Sequence, residues 1–185
     1  MEGPSEFDRL LADGLAASRA ARRDEAMAFF ARASEADPAS GVPHFLIASE
    51  QASAGDFVAA ELSFASAVVL APEFALARYQ LGLLQFSSQR APLALLTWQS
   101  LFTLPESDAL LHFVRGFAAL AQDAFPEALR NFRSGLACQP ANPALCSDVM
   151  QLIEAVEALD RKGAPPDEEP AGSHVLLSAY GRGLH

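Results

Sequence analysis

With 51% hydrophobic and 19% charged side chains over 185 residues, the chain can bury a core and is too apolar to stay disordered, so one folded unit is expected. Its 23 acidic and 13 basic residues give a formal charge of −10, which repels a phosphate backbone and argues against binding nucleic acid or an anionic membrane. No apolar run approaches the roughly 18 residues that span a bilayer.

Residues 1–6 read as a loose lead-in, and the first helix is expected from about Phe7 to Ala20. Its partner starts near Asp24 and stops before Pro38, where the missing N–H and the ring prevent continuation. Pro43 suits the first turn of the next helix. The turn AGDF follows, with Gly55 free to adopt the left-handed conformation. A helix through ELSFASAVVL reaches Pro72. ALARYQLGLLQFSS is the next helix, and Pro92 opens one continuous helix over APLALLTWQSLFTL, whose outward face is read as Leu96, Gln99, Ser100 and Thr103. Pro126 opens a later helix in the same way. After Pro140, Asn142 is placed to cap a helix starting at Pro143. Its apolar stripe is Leu145, Val149, Leu152, Ile153, Val156 and Leu159, with a polar opposite face. Gly163 ends it, APPDEEPAGS is too acidic and proline-rich to fold alone, and a short apolar motif with Val175, Leu176, Leu177 and Tyr180 lies beyond.

A fixed period runs through these elements. Ala26, Ala60, Ala94 and Ala128 are 34 residues apart, as are Phe30, Phe64, Trp98 and Phe132. Ala33, Ala67, Leu101 and Gly135 keep step, and so, upstream, do Gly14, Ala48, Gly82 and Gly116. Pro38, Pro72 and Pro140 close three of the units, while Pro105 closes the remaining one a residue early. This pattern resembles the tetratricopeptide repeat (TPR), in which each unit is a helix A–helix B hairpin. The resemblance implies an all-α, TPR-type α-solenoid of four helical hairpins with a capping helix. The units are residues 7–40, 41–74, 75–107 and 108–142, with the cap at 143–160, a linker at 161–173 and the apolar tail at 174–185. The small residues would let the helices of a hairpin approach, and the aromatic would fill the space between adjacent hairpins.

The same resemblance implies a partner-binding groove lined by helix A. Its positions are Asp8, Leu11, Leu15 and Ser18; Val42, Phe45, Ser49 and Ala52; Leu76, Tyr79, Leu83 and Phe86; and Leu110, Phe113, Phe117 and Leu120. Such a groove is apolar and lacks the Lys, Arg and Asn of carboxylate-clamping TPR proteins. It suits an amphipathic helix or extended apolar segment of a partner protein, with aromatic side chains as anchors. The sequence departs from the TPR pattern in two rows of helix A. One reads Leu10, His44, Arg78 and His112, the other Ala17, Gln51, Gln85 and Ala119, which suggests either a hydrogen-bonded seam between hairpins or an exposed edge. Arg115 also stands where the pattern is apolar.

Catalytic chemistry is not evident. His44, His112, His174 and His185 are scattered without metal-ligand spacing, and Asp167, Glu168 and Glu169 fall in the linker. Cys138 and Cys146 lack Cys-x-x-Cys spacing and read as small core residues rather than ligands or a redox pair. No metal, cofactor or catalytic site is expected. MEGPSEFDRL has no basic or apolar signal region, so a reducing, cytoplasmic setting is expected; the heavy use of Ala and Leu points to a GC-rich bacterial genome. The leading functional expectation is an adaptor or chaperone holding an apolar helix or peptide, in one version within a bacterial secretion or assembly system. The alternative is a self-associating scaffold, a homodimer through the tail or through the charge-free helix B, with the tail docking in cis or trans.

Overall fold

The computed structural model describes residues 4–162, and the expected tail residues Val175, Leu176, Leu177 and Tyr180 lie outside them. Among the described residues the chain is all helical: α1 (Glu6–Arg19), α2 (Arg23–Ala36), α3 (Val42–Ser53), α4 (Phe57–Leu70), α5 (Ala75–Ser87), α6 (Ala91–Thr97), α7 (Ala109–Leu120), α8 (Phe125–Ala137) and α9 (Pro143–Lys162). The chain falls into two compact units, divided between Arg78 and Tyr79 inside α5. In the first unit α1 packs on α2, α2 on α3 and α3 on α4; in the second α7 packs on α8 and α8 on α9.

Local sequence explains most helix ends. Far from being loose, Ser5 caps α1: its Oγ accepts from the Asp8 N–H at 3.1 Å and the Asp8 carboxylate accepts from the Ser5 N–H at 3.1 Å, a reciprocal pairing that satisfies two otherwise orphaned donors. Asp56 caps α4 by accepting from the Ala59 N–H. Asn142 caps α9 as expected, its side chain accepting from the N–H groups of Ala144 and Leu145. The A-to-B turn is the same in all four units. Ala21, Gly55, Gln89 and Asp123, spaced by 34, all have positive φ, between 54° and 80°. The N–H after each, at Arg22, Asp56, Arg90 and Ala124, donates to the carbonyl of residue 17, 51, 85 or 119 at 2.9–3.0 Å. That is the Schellman closure of a helix.

The small-to-large ladder closes hairpins upon themselves, and Trp98 of the third hairpin also packs on Phe117 of the fourth at 5.3 Å, the contact between hairpins that the sequence suggested. A Cβ built on Gly116 would meet the Phe132 ring at 2.5 Å, and one on Gly14 or Gly82 would collide with Phe30 or Trp98. Phe113 reciprocates across the last hairpin, lying so close to Gly135 that a side chain there has no room. Trp98 also donates its indole N–H to the Tyr79 carbonyl at 3.0 Å.

The helix expected over APLALLTWQSLFTL does not run through. It breaks at Trp98 into a tighter 3-10 segment, Gln99–Thr103, closed by a Leu101 N–H to Trp98 carbonyl bond of 2.7 Å. The cap helix α9 does bury its stripe: Leu145, Val149, Leu152, Ile153 and Val156 are inside, while Leu159 is half-buried.

Candidate protein-docking surfaces

The polar side chains in the two rows of helix A are hydrogen-bonded, Gln51 and Gln85 inside their own hairpins, and Arg78 and His112 to the loop that closes the preceding one. The Ser63 hydroxyl donates to the Gln51 side-chain oxygen at 2.7 Å, and 34 residues on the Thr97 hydroxyl donates to that of Gln85 at 2.6 Å. In the other row Arg78 donates to the Pro72 carbonyl at 3.0 Å, and His112, again 34 residues on, to the Glu106 carbonyl at 2.8 Å. Because a carbonyl only accepts, Nε2 of His112 carries the hydrogen. Glu106 occupies the register of Pro72 because Pro105 comes one residue early. Its carboxylate takes both guanidinium nitrogens of Arg115 at 2.8 Å, which holds the Glu106 carboxyl below its ordinary range and explains a charged residue at an otherwise apolar position. These polar side chains fasten hairpins and loops together, and the rows offer no open chemistry.

The residues expected to line the groove divide by unit. In the first unit Leu11 and Leu15 are half-buried against the cluster of Ala17, Ala26 and Phe30, beside Leu46 and Ile47. Phe45 is half-buried, its ring centroid 4.9 Å from Phe74 and 5.6 Å from Phe64. Ser49 turns its hydroxyl back to the Phe45 carbonyl, and Leu76 is half-buried. Asp8 is engaged by the Ser5 cap, and Ser18 is hydrogen-bonded to Glu50. In the second unit the aromatic anchors are core. Tyr79, Phe113 and Phe117 are 1%, 0% and 1% exposed, and Leu83 is buried too. Tyr79 packs on Trp98, Phe113 and Phe117, and Phe117 on Trp98, Phe86 and Phe132, at centroid distances of 5.1–6.4 Å. What helix A leaves partly open there is Phe86, Leu110 and Leu120.

The more exposed apolar surface lies on helix B. The outward row of helix B is Asp24, Ala28, Ala31 and Glu35 in α2, and Pro126, Arg130, Arg133 and Ala137 in α8, all exposed. In the third hairpin the row contains Leu96, Gln99 and Thr103, exposed as read from the sequence together with Ser100. In α4 the same register holds Val58, Leu62, Ala65 and Val69; Val58, Leu62 and Val69 are 77%, 68% and 76% exposed. Sequence reading passed over these three, although subtracting 34 from Leu96 leads straight to Leu62.

Among the described residues no three His, Cys, Asp or Glu side chains are placed to hold a metal ion, Cys138 and Cys146 are half-buried free thiols, and no helix is long and apolar enough to cross a membrane.

No protein-family model matches the chain, and no curated protein matches it by sequence. Solved structures do. MamA from Desulfovibrio magneticus RS-1 (residues 41 to the end) aligns with a TM-score of 0.59 and 14% identity over 88% of this chain and 99% of that one. The anaphase-promoting-complex assembly Cut9–Hcn1 gives a TM-score of 0.67 and 20% identity over 96% of this chain but 33% of that one. YrrB, titled a TPR protein with an unusual peptide-binding site, gives 0.57 and 18% over 92% and 82%. At these identities the likeness bears on the fold. The chain is an all-α protein with the TPR fold.

Proposed function

We propose that the chain is a non-catalytic protein–protein interaction adaptor that holds an apolar helix or peptide of a partner along helix A. The observation that carries this is the row of apolar side chains left half open on helix A: Leu11, Leu15, Phe45 and Leu76 in the first unit, Phe86, Leu110 and Leu120 in the second. Within each unit, apolar side chains that touch solvent in a chain of net charge −10 are what a binding site needs and what a passive surface avoids. YrrB, with its printed peptide-binding site, makes peptide capture a role this fold accommodates. The specific form of the reading is a bacterial, cytoplasmic chaperone for an apolar client of a secretion or assembly system.

Affinity capture from the native lysate tests it. Leu11→Glu and Leu110→Glu, at half-open positions, should each remove a captured protein while the circular dichroism stays helical; retention of that protein by both variants would refute the helix A site. The exposed Leu93 and Leu96 of α6 favour a second reading, a self-associating scaffold, which a monomeric mass at tens of micromolar would end.

A further inference from the structure

We propose that the outward face of α4 is a docking site for a basic amphipathic helix of a partner protein, separate from the helix A row. Three observations converge on it. First, Val58, Leu62, Ala65 and Val69 are spaced 4, 3 and 4 residues, which keeps them within about 60° of arc and makes a row about 16 Å long. That spacing is what a second helix needs to lay its own apolar stripe alongside. Second, the exposure of Val58, Leu62 and Val69 is shared by the repeat but their apolar character is not: the same exposed positions of α2 and α8 carry Asp24, Glu35, Arg130 and Arg133. The fold keeps this row outside, and only here is it filled throughout with apolar side chains.

Third, charge selects the occupant. Between Arg32 and Arg78 the sequence contains no Lys or Arg, while Glu35, Asp37, Glu50, Asp56, Glu61 and Glu73 fall there. The α3–α4 hairpin therefore carries an apolar stripe and acidic but no basic side chains of its own, with Arg78 reaching only the Pro72 carbonyl beyond the end of α4, and Lys or Arg flanking the apolar face of an incoming helix finds complementary charge. A second copy of this chain would instead bring two acidic hairpins together.

The test uses the full-length chain and a fluorescein-labelled synthetic peptide of about 18 residues with a leucine face and Lys/Arg flanks. A comparator has the same leucine face and Glu flanks. The basic peptide should bind at least about tenfold tighter, more weakly in high salt. Leu62→Gln and Val69→Gln, both at exposed positions, should each cost about fivefold or more. Leu110→Glu should leave this binding unchanged, which separates the site from the helix A row. Equal affinity for the two peptides, or no loss in Leu62→Gln, would overturn the proposal. So would a concentration-dependent dimer abolished by Leu62→Gln, which makes a second copy the occupant. A gain in affinity when Leu176 and Leu177 are changed to Ser would likewise assign the face to the chain's own C-terminal segment.

Discussion

Ala21 has φ 56° in the turn where the next unit has Gly55 at φ 80°. An L-residue in the left-handed region costs about 1–2 kcal/mol, offset against glycine's greater loss of freedom on folding, about 0.5–1 kcal/mol. Ala21→Gly should therefore raise stability by up to about 1 kcal/mol, and Gly55→Ala should lower it by a similar amount, both read from denaturant midpoints at unchanged m. Only Gly55 was legible as a left-handed residue, because a glycine announces the conformation. Alanine, glutamine and aspartate at the equivalent positions do not; the 34-residue spacing alone connects them. Asp148 in α9 makes a different residue-scale case. Its Oδ1 is buried with no hydrogen-bond partner among the described residues, and burial pushes its carboxyl up to about 6. The native state then binds more protons than the unfolded state between the ordinary value of 3.8 and about 6, so this group's contribution to stability falls as pH rises through that window and stays low above it. Asp148→Asn should raise Tm at pH 7.5 and have little effect at pH 4. The gain should be about 1 kcal/mol, discounted because the group is half in solvent; an equal shift at both pH values would rule this out.

Within the elements, the hairpin crossing is governed by size. Gly82 and Gly116 exist because Trp98 and Phe132 fill the volume a Cβ would need, and the rings are rigid. Gly116→Ala should overpack by about 1–3 kcal/mol, whereas Trp98→Ala, which removes a fully buried indole and its bond to the Tyr79 carbonyl, should cost about 3–5 kcal/mol. Thermal melts of the two variants compare them directly. The ladder itself was legible, since one small and one aromatic residue per repeat needs only counting. That the ring also fills the place of a Cβ within its own hairpin was not, because periodicity fixes the interval between residues and not the surface each meets. The break at Trp98 was equally hidden: APLALLTWQSLFTL contains no helix breaker after Pro92, yet the residues after Trp98 form a 3-10 segment in which Leu101 is buried.

For the whole molecule, what matters is which apolar side chains the packing consumes. Phe113 and Leu110 look alike in the sequence, three residues apart on one apolar helix. Phe113 is sealed against Gly135 and Tyr79, while Leu110 is half open. Phe113→Glu should bury an unpaired carboxylate and lower stability by more than about 3 kcal/mol, seen as loss of helical circular dichroism or a sharply lower Tm. Leu110→Glu should leave the fold intact and act on binding alone. A stable, helical Phe113→Glu protein that has lost a partner would return Phe113 to the docking surface. The same accounting explains α4: its inner face, Ala60, Phe64 and Ala67, is buried as the ladder requires, and its outer face remains apolar with nothing of the described chain to cover it.

The sequence alone determined the repeat, its period, the helical hairpins, the Asn142 cap and the buried stripe of α9, since each follows from local propensity or a count of residues that share one helix face. It also fixed the acidic balance and the absence of Lys and Arg from residues 33–77. Only the tertiary structure decided which apolar residues are core and which meet solvent. A TPR register assigns Tyr79, Phe113 and Phe117 and their half-open neighbours to one row, but burial depends on the partners each ring finds across its hairpin and its unit. Those contacts are long-range in the chain, and no period of a single sequence encodes them.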